Sequence, residues 1–231
     1  MPLALESDFD FRFERKYHIE GVGTREIESW VMRCPAIFRE AFPPRYINNI
    51  YFDTSSLGNY NQNLDGVANR TKIRIRWYGD LFGRVSRPVL EYKIKRGMVG
   101  TKDSHGLVDF DFEEGFCVDS LKAVFEASRL DESVMHDLSL VSPTLVNRYY
   151  RKYYLSADRD YRITIDSSLD FYRIARWDNF FVVRRSLDGS TVMELKYAGA
   201  ISRLDYGITN FFPFRLTRMS KYVVGLELVE I

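Results

Sequence analysis

Residues 89–96, VLEYKIKR, constrain the fold more than any other stretch. Read at period two, Leu90, Tyr92 and Ile94 fall on one side and Glu91, Lys93 and Lys95 on the other. That is a β-strand pattern with a charged face where solvent would ordinarily be. The pattern recurs along the chain. Arg74 and Arg76 alternate with Ile73, Ile75 and Trp77. Arg162, Thr164 and Asp166 alternate with Tyr161, Ile163 and Ile165, and Glu194-Leu-Lys196 repeats Glu91-Tyr-Lys93. Between 11 and 20, Arg12, Glu14, Lys16, His18 and Glu20 oppose Phe13, Tyr17 and Ile19; Arg15 interrupts the apolar side.

Two arrangements fit these strands. Either they are half-buried with their charges in water, as in an ordinary antiparallel sheet, or the charged faces point inward and line a polar channel. The charges are mostly Arg and Lys with single carboxylates, unlike the even mixture of a solvated face. The opposite faces are rich in Tyr, Phe, Trp and Ile and need a cover of their own. A channel lined by so many cations must hold a polyanion, because unpaired buried charge is too costly to keep.

A chain of 231 residues can bury a sizeable core in one large domain, taken here as 1–231 with 1–10 as a flexible lead-in. The net charge of +1 gives no global field of a nucleic-acid binder; the cations matter by placement. Aromatic residues make up 15%, which suits a strand-rich protein. Cys34 and Cys117 lie far apart with no Cys/His cluster and read as buried thiols in a reducing cytosol. No signal peptide and no apolar run of bilayer length is present, so a soluble, cytoplasmic protein is expected.

In chain order, strand 11–20 precedes a helix capped by Thr24, with Ile27, Trp30, Val31 and Cys34 as its apolar stripe. Pro35 is expected to kink this helix and Pro43-Pro44 to end the region. A strand over 46–52 leads to Asp53, expected to cap a short helix over 57–64. Strands follow over 70–78, 88–96 and 107–112, with Gly97 and Gly100 releasing the second. Helical spacing marks a pair of helices over 118–140. Strands over 145–155 and from 161 come next, with 171–176 irregular, then a hairpin of 180–185 and 191–197 across Asp188-Gly189. Residues 201–210 read as helical and 223–231 as a last strand. About nine or ten strands without βαβ rhythm predict a mainly-β α+β fold, a closed antiparallel barrel with flanking helices.

The chemistry is that of phosphate. Arg offers planar bidentate contacts and Lys a compact charge. The few carboxylates could hold a divalent metal. No GxxxxGK[ST] loop, GxGxxG or kinase motif set is present, and three histidines support no Ser/His/Asp arrangement. His105 and His136 read as surface residues; His18, on the charged face of the first strand, is a minor candidate for a general base. Trp77, Tyr78 and Tyr153 could stack a nucleobase, with Trp77 better suited to the core.

These residues resemble the VTC domain, the polyphosphate-polymerase branch of the CYTH-like triphosphate tunnel metalloenzymes. The matching pieces run over 11–227: ERKY at 14–17, YFD at 51–53, KIRIR at 72–76, EYK at 91–93, YYRKY at 149–153, RITID at 162–166, ELK at 194–196 and SKY at 220–222. Each is weak alone, and their order is specific; SKY is the most diagnostic. The wider superfamily opens with ExExK, whereas Arg12 here replaces the first glutamate and Glu14 and Lys16 remain.

The resemblance implies a tunnel-like barrel in which Lys16, Arg74, Arg76, Lys93, Arg151, Arg162, Lys196 and Lys221 grip a triphosphate or growing polyphosphate. Ser220 would add a hydroxyl contact; Lys95 and Arg218 would extend the basic track. Glu194 would be the principal ligand of Mn²⁺ or Mg²⁺, with Glu14 the second; Glu14, Glu91, Asp166 and Glu227 are the weaker candidates, as ligands or only as residues that orient the cations. The implied reaction transfers the ATP γ-phosphoryl group to a polyphosphate end. Hydrolysis of triphosphate or nucleoside triphosphate, or non-catalytic polyphosphate binding, are the alternatives. ATP and polyphosphate are the expected partners, with no nucleic acid; a membrane-protein partner would be needed for work at a membrane.

Overall fold

A computed structural model of the protein describes residues 13–96, 99–177, 179–197 and 207–229. The expected lead-in and residues 201–206 of the expected helix lie outside them. In chain order the elements are β1 (Phe13–Glu20), α1 (Thr24–Arg33), β2 (Arg39–Asp53), α2 (Gly58–Leu64), β3 (Arg70–Tyr78), β4 (Gly83–Val85), β5 (Val89–Arg96) and β6 (Val99–Gly106). There follow β7 (Phe110–Phe112), α3 (Ser120–Ala127), α4 (Glu132–Ser139), β8 (Ser142–Leu155), β9 (Tyr161–Arg173), β10 (Arg184–Leu187), β11 (Ser190–Tyr197) and α5 (Lys221–Leu228). The protein is thus a mainly-β α+β fold built on a large antiparallel sheet.

The chain forms two compact units, and β2, β8 and β9 run through both. The first unit comprises Met1–Arg45, Tyr150–Leu169 and Leu187–Met219, with strand order β1-β11-β9-β8-β2. Its apolar face brings Tyr17, Ile19, Ile163, Ile165, Met193 and Leu195 against Ile27 and Val31 of α1. Helix α1 begins at Thr24 itself, so its cap lies one residue before the expected one. Gly23 occupies that position, extended at φ −64°, ψ 142°, and its carbonyl accepts from Glu26 and Ile27 without any side-chain cap. The helix is not kinked at Pro35. It ends at Arg33 because Cys34, preceding proline, is driven to an extended conformation. Arg15 does not spoil the apolar side: its guanidinium turns away to Thr209 O (2.8 Å) and Asn210 Oδ1 (2.9 Å).

Pro43-Pro44 does not end the region, since β2 continues through both prolines. In this unit β2 is the last strand of the order, so its outer N–H groups owe no ladder bond and proline is tolerated.

The second unit comprises Tyr46–Tyr149, Asp170–Ser186 and Ser220–Ile231, and holds the order β8-β2-β3-β5-β6 with the small β4-β7 pair. Ile50, Phe52, Ile73, Ile75, Trp77 and Leu90 pack under Leu121, Val124 and Phe125 of α3 and Val134 and Leu138 of α4. Trp77 is core, 1% exposed, as its place on the apolar face required.

Three expectations change here. Strand β5 ends at Arg96 as expected, but residues 99–106 form a further strand, β6, that was not expected; among the described residues it pairs with β5 alone, and it is polar along its length, as an edge strand tolerates. Phe180 to Val183 are not in a strand, and β10 begins at Arg184. Residues 223–228 are not a strand but part of helix α5, which buries Tyr222, Gly225 and Leu226 at helical spacing, and residues 230–231 of the expected strand lie outside the described residues. Its Val-Val pair favours a strand in isolation, but the Ser220 cap and the packing of Gly225 prevail.

Among the described residues no pairing joins β1 to β6, so the described hydrogen bonds do not close the sheet into the expected barrel. Of the cysteines, Cys34 is buried and Cys117 only half-buried; both are free thiols.

Candidate functional site

Each unit has a second sheet face, opposite the helices, and both carry buried charge. Arg76 is 6%, Glu91 4%, Arg151 8%, Asp166 0% and Glu194 8% exposed, which excludes an ordinary solvated face. The charged face is therefore withdrawn from water at these positions, and the buried charges must be electrostatically provided for.

In the first unit the antiparallel register sets Glu14 opposite Lys196 and Lys16 opposite Glu194. Alternation puts all four on one face. Lys16 Nζ lies 3.2 Å from Glu14 Oε1 and 3.1 Å from Glu194 Oε1. Lys196 Nζ lies 4.0 Å from Glu14 Oε2 and 3.8 Å from Glu194 Oε2. Two ammonium groups thus stand between the same two carboxylates. Burial alone would lower the Lys16 pKa, but Glu194 and Glu14 outweigh it and raise it, so Lys16 is held as a cation.

One strand further in, Arg162 is opposite Lys196 and Thr164 opposite Glu194. Arg151 makes a bidentate pair with Asp166, Nε to Oδ1 at 2.5 Å and Nη2 to Oδ2 at 2.7 Å. Asp166, a weaker metal-ligand candidate by the resemblance, is engaged here with the Arg151 guanidinium. Tyr153 is not available as a nucleobase platform: it is 1% exposed, and the guanidinium groups of Arg45, Arg162 and Arg151 lie over its ring. On the charged face of this unit Lys16, Lys196, Arg151 and Arg162 are nearly matched by Glu14, Glu194 and Asp166.

The second unit is different. Glu91 takes Arg74 Nη2 at 2.7 Å and Nε at 2.8 Å, Arg76 Nη1 at 3.5 Å and Lys102 Nζ at 3.5 Å. One carboxylate serves three cations. Burial pushes the Glu91 carboxyl up, but Arg76, Arg74 and Lys102 prevail and hold it down at about 2. Arg76 Nε also donates to Asn49 Oδ1 (3.0 Å), whose amide donates to Asn147 Oδ1 (2.8 Å).

Beside this group, the register sets Lys93 opposite both Lys72 and Lys102, and Lys95 opposite Arg70. Like charges directly across a ladder destabilise it. Lys72 Nζ donates to Ser220 Oγ at 2.9 Å, and the same hydroxyl accepts from Val223 N at the start of α5. Lys221, the first residue of α5, holds its ammonium 4.8 Å over the Tyr149 ring. Helix α5 is fixed by Tyr222, whose hydroxyl donates to Asp53 Oδ2 (2.5 Å). Asp53, fully buried, also caps α2 as expected, accepting from Asn59 N (2.8 Å) and Tyr60 N (2.9 Å).

The expected residues therefore divide between two faces. Lys16, Arg151, Arg162, Lys196, Glu14 and Glu194 lie in the first unit; Arg74, Arg76, Lys93, Lys95, Ser220 and Lys221 lie in the second. Lys93 is exposed and Lys95 half-buried. Arg218 is exposed before α5, and no described contact ties it to either face. Lys72, Lys102, Asn49 and Asn147 escaped the sequence reading. Lys102 lies on the unrecognised β6, and the two asparagines carry no charge to mark them.

Glu14 and Glu194 converge enough to share two ammonium groups, which fits two oxygen ligands for a hard divalent cation completed by water and phosphate oxygens. Among the described residues no group of three or more His, Cys, Asp or Glu side chains is placed to hold a metal.

No functionally curated protein matches the chain in sequence. Among solved structures, the PH1819 protein from Pyrococcus horikoshii OT3 aligns over 93% of this chain and 99% of its own, with 13% identity and a TM-score of 0.50. HpAC1 from Hippeastrum, an adenylyl cyclase candidate with a dominant triphosphatase activity, aligns over 93% and 96%, with 13% identity and a TM-score of 0.47. At these identities the likeness to PH1819 speaks for the fold alone. The VTC domain family matches residues 11–230, a span that contains every charged position placed above, and the chain belongs to that family.

Proposed function

We propose that this protein is a polyphosphate polymerase, transferring the γ-phosphoryl group of ATP to the terminal phosphate of a growing polyphosphate chain. Membership of the VTC family supports a phosphoryl-handling enzyme. The observation that carries the reading is the gathering of cations in the second unit: Arg74, Arg76 and Lys102 share the one carboxylate of Glu91, and Lys93 stands opposite both Lys72 and Lys102 in register. A polyanion suits such a face.

Arg74 and Arg76 bind phosphate oxygens through planar N–H forks, and Lys93, Lys95 and Lys221 add point charge along the chain. Ser220 contributes its hydroxyl while capping α5. In the first unit Arg151 and Arg162 present guanidinium groups held by Asp166 and Tyr153, and Lys16 and Lys196 neutralise further phosphate. Arg218 extends the track from its exposed position. A divalent metal, Mn²⁺ or Mg²⁺, held by Glu194 and Glu14, supplies neutralisation of the charge on the transferred group when bound. The proposal includes closure of the sheet into a tunnel.

The attacking group is a phosphate oxygen that is already ionised, so transfer needs positioning and charge stabilisation and no general base. Hydrolysis by the same residues would have to activate water. Of the three histidines only His18 lies on a charged face; its Nε2 is buried without a hydrogen-bond partner, 3.7 Å from Glu20. His18→Gln therefore separates the two reactions: polymer synthesis persists, whereas a hydrolase using His18 would lose turnover. The direct test is incubation with ATP and Mn²⁺ and separation of the products by chain length.

A further inference from the structure

One apolar surface takes no part in either charged face. In the second unit a groove of about 610 Å³ lies between Phe82, Gly83, Glu113, Glu114, Phe180 and Phe181. Phe181 turns inward, its ring centroid 4.8 Å from that of Phe112 and 5.2 Å from that of Phe82. It does so at φ 51°, in the left-handed region that a bulky L side chain avoids. Its neighbours are thrown outward: Phe180 is 58% and Val182 84% exposed. Strain of this kind persists where the surroundings impose it, and it gathers at functional surfaces. A contiguous exposed apolar patch is likewise a mark of an interaction surface.

The walls carry a definite sign. Glu113 and Glu114 line the groove, both are exposed, and among the described residues neither has an ion-pair partner. No cation lines it. The nearby carboxylates are already matched, Asp111 with Arg84 at 3.2 Å and Asp119 with Lys122 and Arg176 at 3.8 and 3.7 Å. The groove is therefore apolar at its floor and anionic at its rim.

We propose that this groove docks a segment of a partner protein bearing a lysine or arginine beside an aromatic or branched aliphatic side chain. The apolar group packs against Phe180 and Phe82, and the cation pairs with Glu113 and Glu114. Two other occupants are disfavoured by the same charge. An anionic membrane surface is repelled by the two carboxylates. A second copy related by a two-fold axis would bring the same glutamates face to face.

The test uses the full chain, free of phosphate, with short fluorescein-labelled peptides and anisotropy as readout. The probes carry a tryptophan flanked by arginines; control peptides replace the arginines by glutamates or the tryptophan by serine. Binding is expected to need both features, to weaken with salt, and to fall by about tenfold or more in Phe180→Asp and in the double variant Glu113→Lys/Glu114→Lys. The double variant should instead gain affinity for the glutamate peptide, which a merely misfolded surface would not do. ATP turnover should stay unchanged in both. Equal binding of all peptides, or binding indifferent to both variants, overturns the proposal. So does self-association of the wild type abolished by Phe180→Asp, which would assign the groove to a second copy. Co-sedimentation with phosphatidylserine vesicles that Phe180→Asp abolishes would assign it to a membrane and overturn it equally.

Discussion

Lys16 and Glu194 face each other directly across β1 and β11, with Nζ 3.1 Å from Oε1, and the same ammonium lies 3.2 Å from Glu14. In the proposed reaction a divalent metal taken by Glu14 and Glu194 would have to compete with this ammonium. Glu194→Gln is expected to abolish metal-dependent turnover while leaving metal-free triphosphate binding intact, because a negative charge has been removed from an anion site. Calorimetric titration beside a turnover assay checks both halves; full activity in the variant would remove Glu194 from the metal site.

Glu91 makes stability depend on acid. Its carboxyl drops from an ordinary 4.5 to about 2 because Arg76, Arg74 and Lys102 outweigh burial. A carboxyl depressed in the folded state favours folding above its unfolded value, so this contribution is complete above about 4.5 and fades as pH falls toward 2. At about 1.4 kcal/mol per unit it amounts to on the order of 3 kcal/mol. Urea unfolding of the wild type and Glu91→Gln should differ by about that much near neutrality, and the difference should shrink as the pH approaches 2. A constant difference across that range would show that the arginines do not depend on this charge.

Lys221 sits at the start of α5 with its ammonium over Tyr149. Lys221→Ala should weaken triphosphate binding by about 1.5–3 kcal/mol, the loss of one charge-assisted contact. Its fold should be unaffected, since the cap comes from Ser220. Unchanged affinity would place Lys221 outside the phosphate track.

Gly225 is where α5 meets the sheet. A Cβ there would lie 2.4 Å from Phe171 Cδ1 and 2.6 Å from Leu145 Cδ2. Alanine is the better helix former by about 1 kcal/mol, yet Gly225→Ala should destabilise the protein by about 1–3 kcal/mol through overpacking. Because α5 carries Ser220 and Lys221, triphosphate affinity should fall with stability. A more stable variant would show that the helix can lift from Leu145 and Phe171 without loss.

The strands with the clearest alternation were legible in the sequence. The arginine strand was expected over 70–78 and found at Arg70–Tyr78, because its apolar and charged residues separate cleanly. Helix α5 was not legible as a helix, since Val223 and Val224 favour a strand and the deciding contacts, Gly225 on Phe171 and Tyr222 on Asp53, come from distant segments. Strand β6 was missed because it has no apolar face to alternate. The site divides in the same way. Residue type showed which side chains were cationic, but only register shows that Lys93 faces Lys72 and Lys102 while Lys196 faces Glu14. The contrast between a nearly neutral face and a strongly cationic one depends on that pairing.

The most direct measurement of the central claim follows the γ-phosphate itself. The purified protein is incubated with ATP labelled at the γ-position and Mn²⁺, and the products are resolved on a gel that displays polyphosphate ladders. The account predicts label in a ladder of increasing length, with ADP released. Label confined to free phosphate, with no ladder, would contradict it and assign the cationic face to a hydrolase.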